Sequence, residues 1–178
     1  MKSDDNSHYL IYQVFRISKN EGEQIDLYQN VGRFLYKYAG SFLEGAALLC
    51  LEHKFPEAKP KLKIKNTLGT KPKTFEIDCL VSKTAYEIKW RDATTDGDHI
   101  SKEHTRLKNI KKAGFTPVRV MFYEPQRSQA KKIQSKLKKI YEQQGGKYYS
   151  GLGAWEYIKK TTGVDLKKIL QGIASAET

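Results

Sequence analysis

Residues 74–90 read TFEIDCLVSKTAYEIKW. Two alternating runs meet at Ser82-Lys83, the pattern of two strands joined by a tight turn. Successive strand side chains point to opposite faces. Phe75, Ile77, Cys79 and Val81 then share one face of the first strand, and Thr84, Tyr86, Ile88 and Trp90 one face of the second. These are the core sides. The opposite faces carry Glu76, Asp78 and Leu80, then Ala85, Glu87 and Lys89. Pairing Val81 with Thr84 in antiparallel register sets Asp78 across from Glu87 and Glu76 across from Lys89. Facing Cβ atoms are roughly 5 Å apart, and like charges so placed destabilise a hairpin. A local rule broken in this way marks a candidate functional site.

A divalent cation resolves the conflict. Mg²⁺ takes oxygen ligands and keeps several waters, so two carboxylates hold it and leave positions for substrate. Lys89, two residues beyond Glu87 on the same face, is placed to orient or deprotonate an attacking water, or to neutralise phosphate charge. The plain alternative is a solvated strand face on which Lys89 pairs with Glu76 and Asp78. As bare spacing, Asp-x8-Glu-x-Lys is a weak signal. On a hairpin in a strongly basic chain it gains weight.

The chain around this hairpin has 178 residues, 39% hydrophobic and 29% charged, which predicts one soluble globular domain and excludes a disordered chain. No apolar run is long enough to cross a bilayer. The opening MKSDDNSHY lacks the apolar core of a signal peptide, so the expected location is the cytoplasm. Cys50 and Cys79 make no CxxC spacing and are expected to be buried free thiols. Lys plus Arg number 32 against 20 Asp plus Glu, a net charge of +12. That surplus favours a polyanionic partner, nucleic acid before an anionic membrane surface, although a lysine-rich solubilising surface explains it equally well.

Residues 8–55 are expected to be helical. Leu27, Tyr28, Val31, Phe34, Leu35 and Tyr38 form one apolar stripe, Gly40-Ser41 predicts a stop and a fresh N-cap, and FLEGAALLCLEHKF a second helix ending before Pro56. Residues 60–123 predict strands at LKIKN, TFEIDCLV, AYEIKW and VRVMFY, with a helix, HISKEHTRLKNIKKAGF, inserted before the last and closed by Gly114. Residues 126–174 return to helix, with Ala130, Ile133, Leu137 and Ile140 on one face. Tyr148-Tyr149, between Gly145-Gly146 and Gly151, reads as a loop, and Trp155 and Tyr157 as core or subunit-interface aromatics. The expected architecture is α/β, a central mixed sheet of four to five strands flanked by helices, in one domain over 1–178.

Asp78, a short turn, and Glu87-Ile88-Lys89 on the next strand resemble the PD-(D/E)xK nuclease signature, with Ile77 in the place of its proline. Such nucleases often carry an acid on the preceding helix, and SFLEGAALLCLEHKF supplies Glu44 and Glu52. Eight residues apart, they are separated by roughly 12 Å along a helix, so one at most completes the site. Glu44 is preferred, with Ala46 and Ala47 allowing the helix close to the sheet. The continuation YEIKWRDATTDGDHISKEHTRLKNIKKAGFTPVRVMFYEP is similar to type II restriction endonucleases of this class, and among them to the ApaLI-like group. The resemblance implies a restriction-endonuclease-like core and Mg²⁺-dependent hydrolysis of double-stranded DNA, with Mn²⁺ able to substitute, no small-molecule cofactor, and commonly a homodimer at a palindromic site. Asp78, Glu87, the Ile88 backbone carbonyl and Glu44 would hold metal, and Lys89 would serve the attack.

RDATTDGDHISKEHTR leaves the end of the active strand, beside where the scissile phosphate would lie. Thr94 and Thr95 can donate to phosphate oxygens, and Arg91 and Arg106 can be bidentate to phosphate or guanine. Asp92, Asp96 and Asp98 are suited to accepting from cytosine or to holding arginines. Lys102, at the start of the next helix, is a further expected DNA contact. His99 and His104, five apart, do not share a helix face and are read as phosphate contacts, dimer contacts or plain surface, not as a zinc site. The pairs Lys111-Lys112, Lys131-Lys132 and Lys138-Lys139 suit salt-sensitive backbone attraction. Two other readings stay open: a junction resolvase or repair nickase on the same core, and a basic DNA-binding domain without catalysis.

Overall fold

A computed structural model describes residues 9–92 and 98–176. The chain divides into two compact units, residues 1–39 and 40–178. In the first, α1 (Tyr9–Val14) precedes the start of α2 (Lys19–Lys54). Ser18 and Glu21 form a capping box at that start: the Ser18 N–H donates to Glu21 Oε2 at 2.8 Å and the Glu21 N–H to Ser18 Oγ at 3.3 Å. The α2 helix runs unbroken through Gly40-Ser41, where a stop and new cap were expected. Its stripe of Leu27, Tyr28, Val31, Phe34, Leu35 and Tyr38 is exposed rather than buried.

The second unit is built on one five-stranded sheet, β1 (Lys59–Lys65), β2 (Thr74–Val81), β3 (Thr84–Arg91), β4 (Thr116–Tyr123) and β5 (Lys147–Ser150), in that spatial order. The first two pairings are antiparallel and the last two parallel, so the sheet is mixed as expected. The β3–β4 crossover carries α3 (Asp98–Lys112) and the β4–β5 crossover α4 (Ser128–Gln143). After β5 come α5 (Leu152–Thr162) and α6 (Leu166–Ala176). One core joins Leu43, Ala47 and Leu51 of α2 with Tyr86, Ile88, Val120, Trp155 and Ile158. The other, on the opposite face, joins Phe75, Ile77, Leu80 and Ala85 with Leu107, Ile110 and Tyr141. Each such fully buried aliphatic chain contributes about 1.5–3 kcal/mol. Both cysteines are buried free thiols, as expected.

The 148–149 segment is a strand, not a loop. Its entry through Gly146 passes so near β4 that a Cβ there would run into the Pro117 carbonyl oxygen, which requires glycine. Among the described residues no helix is long and apolar enough to cross a membrane.

Candidate active site

The two-residue turn at Ser82-Lys83 forms as read, with Ser82 at φ 52°, the left-handed value that primed hairpin turns need at their first position. It fixes the predicted register over Val81↔Thr84, Leu80↔Ala85 and Cys79↔Tyr86. The next pair, Asp78 with Glu87, is not in the ladder. Here the alternation of β2 slips by one residue: Phe75 and Ile77 share a core with Leu80, whereas Cys79 and Val81 belong to the other. The four residues expected on one face are thus divided at Asp78. Across on β1, Lys61 takes a φ of 53° and the pair Lys61↔Asp78 is missing from an otherwise regular register. The two irregularities are the two sides of one interruption.

This interruption frees the Asp78 carboxylate to act as a backbone acceptor. Its Oδ2 takes the Ile88 N–H at 2.7 Å, pinning the acid between the separating strands. Lys89 Nζ lies 2.8 Å from Glu87 Oε1 and 3.9 Å from Asp78 Oδ2, so the three groups predicted to converge do converge. Glu44 reaches the same place through Lys61, whose ammonium it binds directly and which also lies 3.7 Å from Asp78 Oδ1 and 3.8 Å from Glu76 Oε1. Glu76 is therefore paired with Lys61, not with Lys89 as the extended register had it.

Burial and the nearby Glu87 charge push Asp78 up to about 6, against the pull of Lys89 and the Ile88 N–H. Burial alone would raise Glu87 too, but Arg106, Lys89 and Arg119 outweigh it and hold Glu87 below the usual carboxylate range. Burial works against the Lys89 charge, yet Glu87 and Asp78 outweigh it and keep that ammonium more firmly protonated than a free lysine.

Arg106 is not on the surface. It is buried on α3, donating to Glu87 Oε2, to the Glu76 carbonyl at 2.9 Å and to Glu103 at 3.2 Å. The expected DNA contact is instead a brace behind Glu87. Glu103 also accepts from the Tyr141 hydroxyl at 2.6 Å and lies 3.6 Å from Arg119. Arg119, fully buried, is the ladder partner of Glu87 on β4 and donates to Asp92 at 2.6 Å. His99 Nε2 stands 3.3 Å from the same Asp92 oxygen, and that close carboxylate raises the imidazole pKa. One buried charge network thus runs from Glu87 to the segment after β3. Glu103, Arg119 and Lys61 were not anticipated. Arg91 and Lys102 are exposed and His104 half-buried, while Thr94, Thr95 and Asp96 lie outside the described residues.

A cavity of about 290 Å³ opens among Met121, Lys131, Gln134 and Tyr148. Its lining includes Glu124 but not Asp78, Glu87 or Glu44.

A mixed sheet between helical layers, with a lysine and two acids gathered where two of its strands part, defines the class of a restriction-endonuclease-like core. The family model for ApaLI-like restriction endonucleases matches residues 1–175, and the chain belongs to that family. No curated protein and no solved structure matches it.

Proposed function

We propose that residues 1–178 form one nuclease domain, a cytoplasmic type II enzyme that hydrolyses phosphodiester bonds of double-stranded DNA at a specific sequence, with Mg²⁺, as a homodimer. Family membership supports the nuclease, and restriction endonucleases generally use Mg²⁺. The observation that carries the site assignment is the meeting of Asp78, Glu87 and Lys89 at a break in the β2–β3 ladder.

The donor set suits a hard cation. Glu44 and Asp78 already share an ammonium, so positive charge is favoured there. Among the described residues no three His, Cys, Asp or Glu side chains form a ready metal cluster. Asp78, Glu87 and Glu44 would hold Mg²⁺ with oxygens from the Ile88 carbonyl, water and phosphate. When bound, the ion supplies Lewis acidity at the phosphoryl oxygen and eases ionisation of water. Lys89, held charged by its two acids in the metal-free site, orients the attacking water and neutralises the phosphate; with Mg²⁺ on those acids it stays charged or cedes a proton, depending on how far the ion lowers its pKa. The water oxygen bonds to phosphorus in line as the P–O3′ bond breaks; the water gives up a proton to solvent or to Lys89 if that amine has ceded its own, and the 3′ oxygen takes one from solvent, leaving a 5′ phosphate and a 3′ hydroxyl. Arg91, His99, Lys102 and His104 line the DNA side in this reading, Thr94, Thr95 and Asp96 are expected contacts that lie outside the described residues, and Arg106 supports Glu87 from behind.

Supercoiled plasmid incubated with Mg²⁺ should give discrete linear fragments whose sequenced ends reveal the target, Mn²⁺ should substitute, and EDTA should stop the reaction. Cutting confined to four-way junctions would identify a resolvase, and single-strand cuts a nickase. Binding with no cutting in either metal would identify a non-catalytic module.

Lys61 is a counter-ion shared by Glu44, Glu76 and Asp78, so it competes with metal for the same oxygens. In Lys61→Met, Mg²⁺ is expected to raise Tm more than in the parent, at roughly 2–4 °C per kcal/mol of extra binding energy. Equal Mg²⁺ shifts in the two proteins would show that Lys61 does not contest the site.

A further inference from the structure

We infer that the cavity among β4, β5 and α4 is a nucleotide site, which takes a base between its walls and the attached phosphate on its lysines. It lies wholly within the second unit. Its place follows from the sheet register. Parallel partners point to one face, so Lys89, Met121 and Ser150 make one row across β3, β4 and β5. Glu87, Arg119 and Tyr148 make the row before it. Met121, Tyr148 and Ser150 line the cavity. Neighbouring strands are about 4.8 Å apart, so its floor begins roughly 5–10 Å from Lys89 on the same face. One strand of DNA advances about 3.4 Å per nucleotide, which puts the cavity within roughly three nucleotides of the candidate active site.

The walls are fixed by bonds of their own. Gln134 is buried with both ends of its amide held: Oε1 accepts from the Tyr148 hydroxyl at 2.6 Å, and Nε2 donates to the Asp92 carbonyl at 3.2 Å. Tyr148 in turn meets Tyr141 edge to face, with ring centroids 6.0 Å apart. Each amide end keeps one further donor or acceptor for a ligand. Through the Asp92 carbonyl, one wall is tied to the residue that follows the Glu87–Lys89 strand.

The chemistry of the lining selects the ligand. Lys131 and Lys138, on one face of α4, form no ion pair among the described residues. Glu124 forms none either, and accepts from the Ser150 hydroxyl at 2.6 Å. Both signs of charge thus border one cavity without cancelling each other. A bare phosphate would be repelled by Glu124 and would leave the buried Met121 and Pro125 unused. A nucleobase uses every group. Its flat faces pack on Met121 and Pro125, an edge N–H goes to Glu124, and an edge acceptor takes a lysine. The attached phosphate meets the other ammonium at the mouth. Size agrees: about 290 Å³ is the small end of ligand sites, roughly 300–1,000 Å³, and suits a single nucleotide. A base that carries an exocyclic amino group suits Glu124 better than thymine does.

Nucleotides come free or as part of a DNA strand. Placement beside Lys89 favours the strand, and that half of the inference rests on the nuclease reading above. A base reaches the cavity from a single strand at little cost, and from a duplex only after leaving its stack.

The chain has two methionines, Met1 and Met121, so ¹³C-methyl-methionine labelling of the full protein reports on the cavity through one NMR signal. Its absence in Met121→Leu assigns it. In EDTA, without metal-dependent cutting, dCMP should move that signal by the ring current of the base. Inorganic phosphate should leave it in place, and dTMP should bind more weakly. A single-stranded oligodeoxynucleotide should move it at a lower concentration than dCMP, and a duplex should need more than the single strand. Lys131, Lys138 and Glu124 are exposed, so their variants leave the core intact. Lys131→Ala/Lys138→Ala should weaken dCMP at least about 10-fold, the loss of one charge-assisted hydrogen bond. Glu124→Gln should erase the preference over dTMP. A shift with the oligonucleotide assigns the DNA strand as the source; a dCMP shift that no oligonucleotide reproduces assigns a free nucleotide. No shift with any nucleotide, an equal shift with inorganic phosphate, or lysine variants that bind dCMP like the parent would overturn the site. Protein that cuts plasmid without any shift would leave the nuclease reading intact, and a shift in protein that cuts nothing would leave this one intact.

Discussion

Asp78→Asn is expected to abolish cleavage and, in EDTA at pH 8, to make the protein more stable than its parent. The two effects have one cause. Asp78 is buried beside Glu87, which lifts its pKa from 3.8 to about 6. A carboxyl with a raised folded pKa is protonated more readily folded than unfolded. Its contribution is therefore most favourable below the unfolded pKa and is lost as pH climbs through the folded one. Above about pH 6 the metal-free protein carries an ionised acid that costs about 2–3 kcal/mol, at 1.36 kcal/mol per pKa unit. Asparagine keeps an oxygen for the Ile88 N–H and removes the charge. Allowing for lost attraction to Lys61 and Lys89, the gain should be about 1–3 kcal/mol, or roughly 2–4 °C in Tm per kcal/mol. The advantage should vanish near pH 4, where both proteins are neutral at this position. Loss of a group that fixes transition-state charge costs on the order of 10³-fold in rate. Thermal melts at the two pH values, beside plasmid digestion with Mg²⁺, check both halves. An Asp78→Asn protein that is less stable at pH 8, or that still cuts, contradicts the assignment.

The hairpin that brings these groups together was legible because a two-residue turn is local. Once Ser82-Lys83 is placed, the pairing of residues 79–81 with 84–86 follows. The slip at Asp78 was not legible, because its other half is the left-handed Lys61 on a strand seventeen residues earlier. For the same reason Lys61 was missed: nothing local ties it to Glu44 or Asp78. Arg119 was within reach. It interrupts the apolar run of VRVMFY on the face that the parallel register gives to Glu87. Gly40-Ser41 misled because helix propensity is a weak prior that a long helix overrides. KYYS was hidden by its flanking glycines, one of which exists to let the strand approach β4. The apolar stripe of α2 was read correctly as a stripe. Periodicity reveals that a face is apolar, not whether the covering partner lies in the same chain.

Arg106→Leu should be the most damaging single change to the fold, although Arg106 looks in the sequence like one more basic residue facing DNA. Its guanidinium joins Glu87, Glu103 and the Glu76 carbonyl, and it is buried together with the first two. Removing one member of a buried pair leaves the others charged and unsolvated, at a cost of about 3–5 kcal/mol. The pH dependence gives the cause away. In the parent, Glu87 is held below its ordinary pKa, so it adds stability above the unfolded value, near 4.3, and loses it as pH falls through the lower folded value. Without Arg106 the carboxyl pKa rises, and the deficit grows as pH climbs above about 5. Urea denaturation at pH 5 and pH 8 should show a wide gap from the parent at pH 8 and a narrower one at pH 5. Arg106→Lys restores charge without the planar fork that reaches three acceptors, so rescue should be partial. A surface DNA contact behaves in the opposite way: its loss leaves stability within about 0.5 kcal/mol and lowers only affinity, in a salt-dependent manner. If Arg106→Leu melts like the parent and merely binds DNA more weakly, the brace behind Glu87 is wrong and the residue belongs on the DNA face.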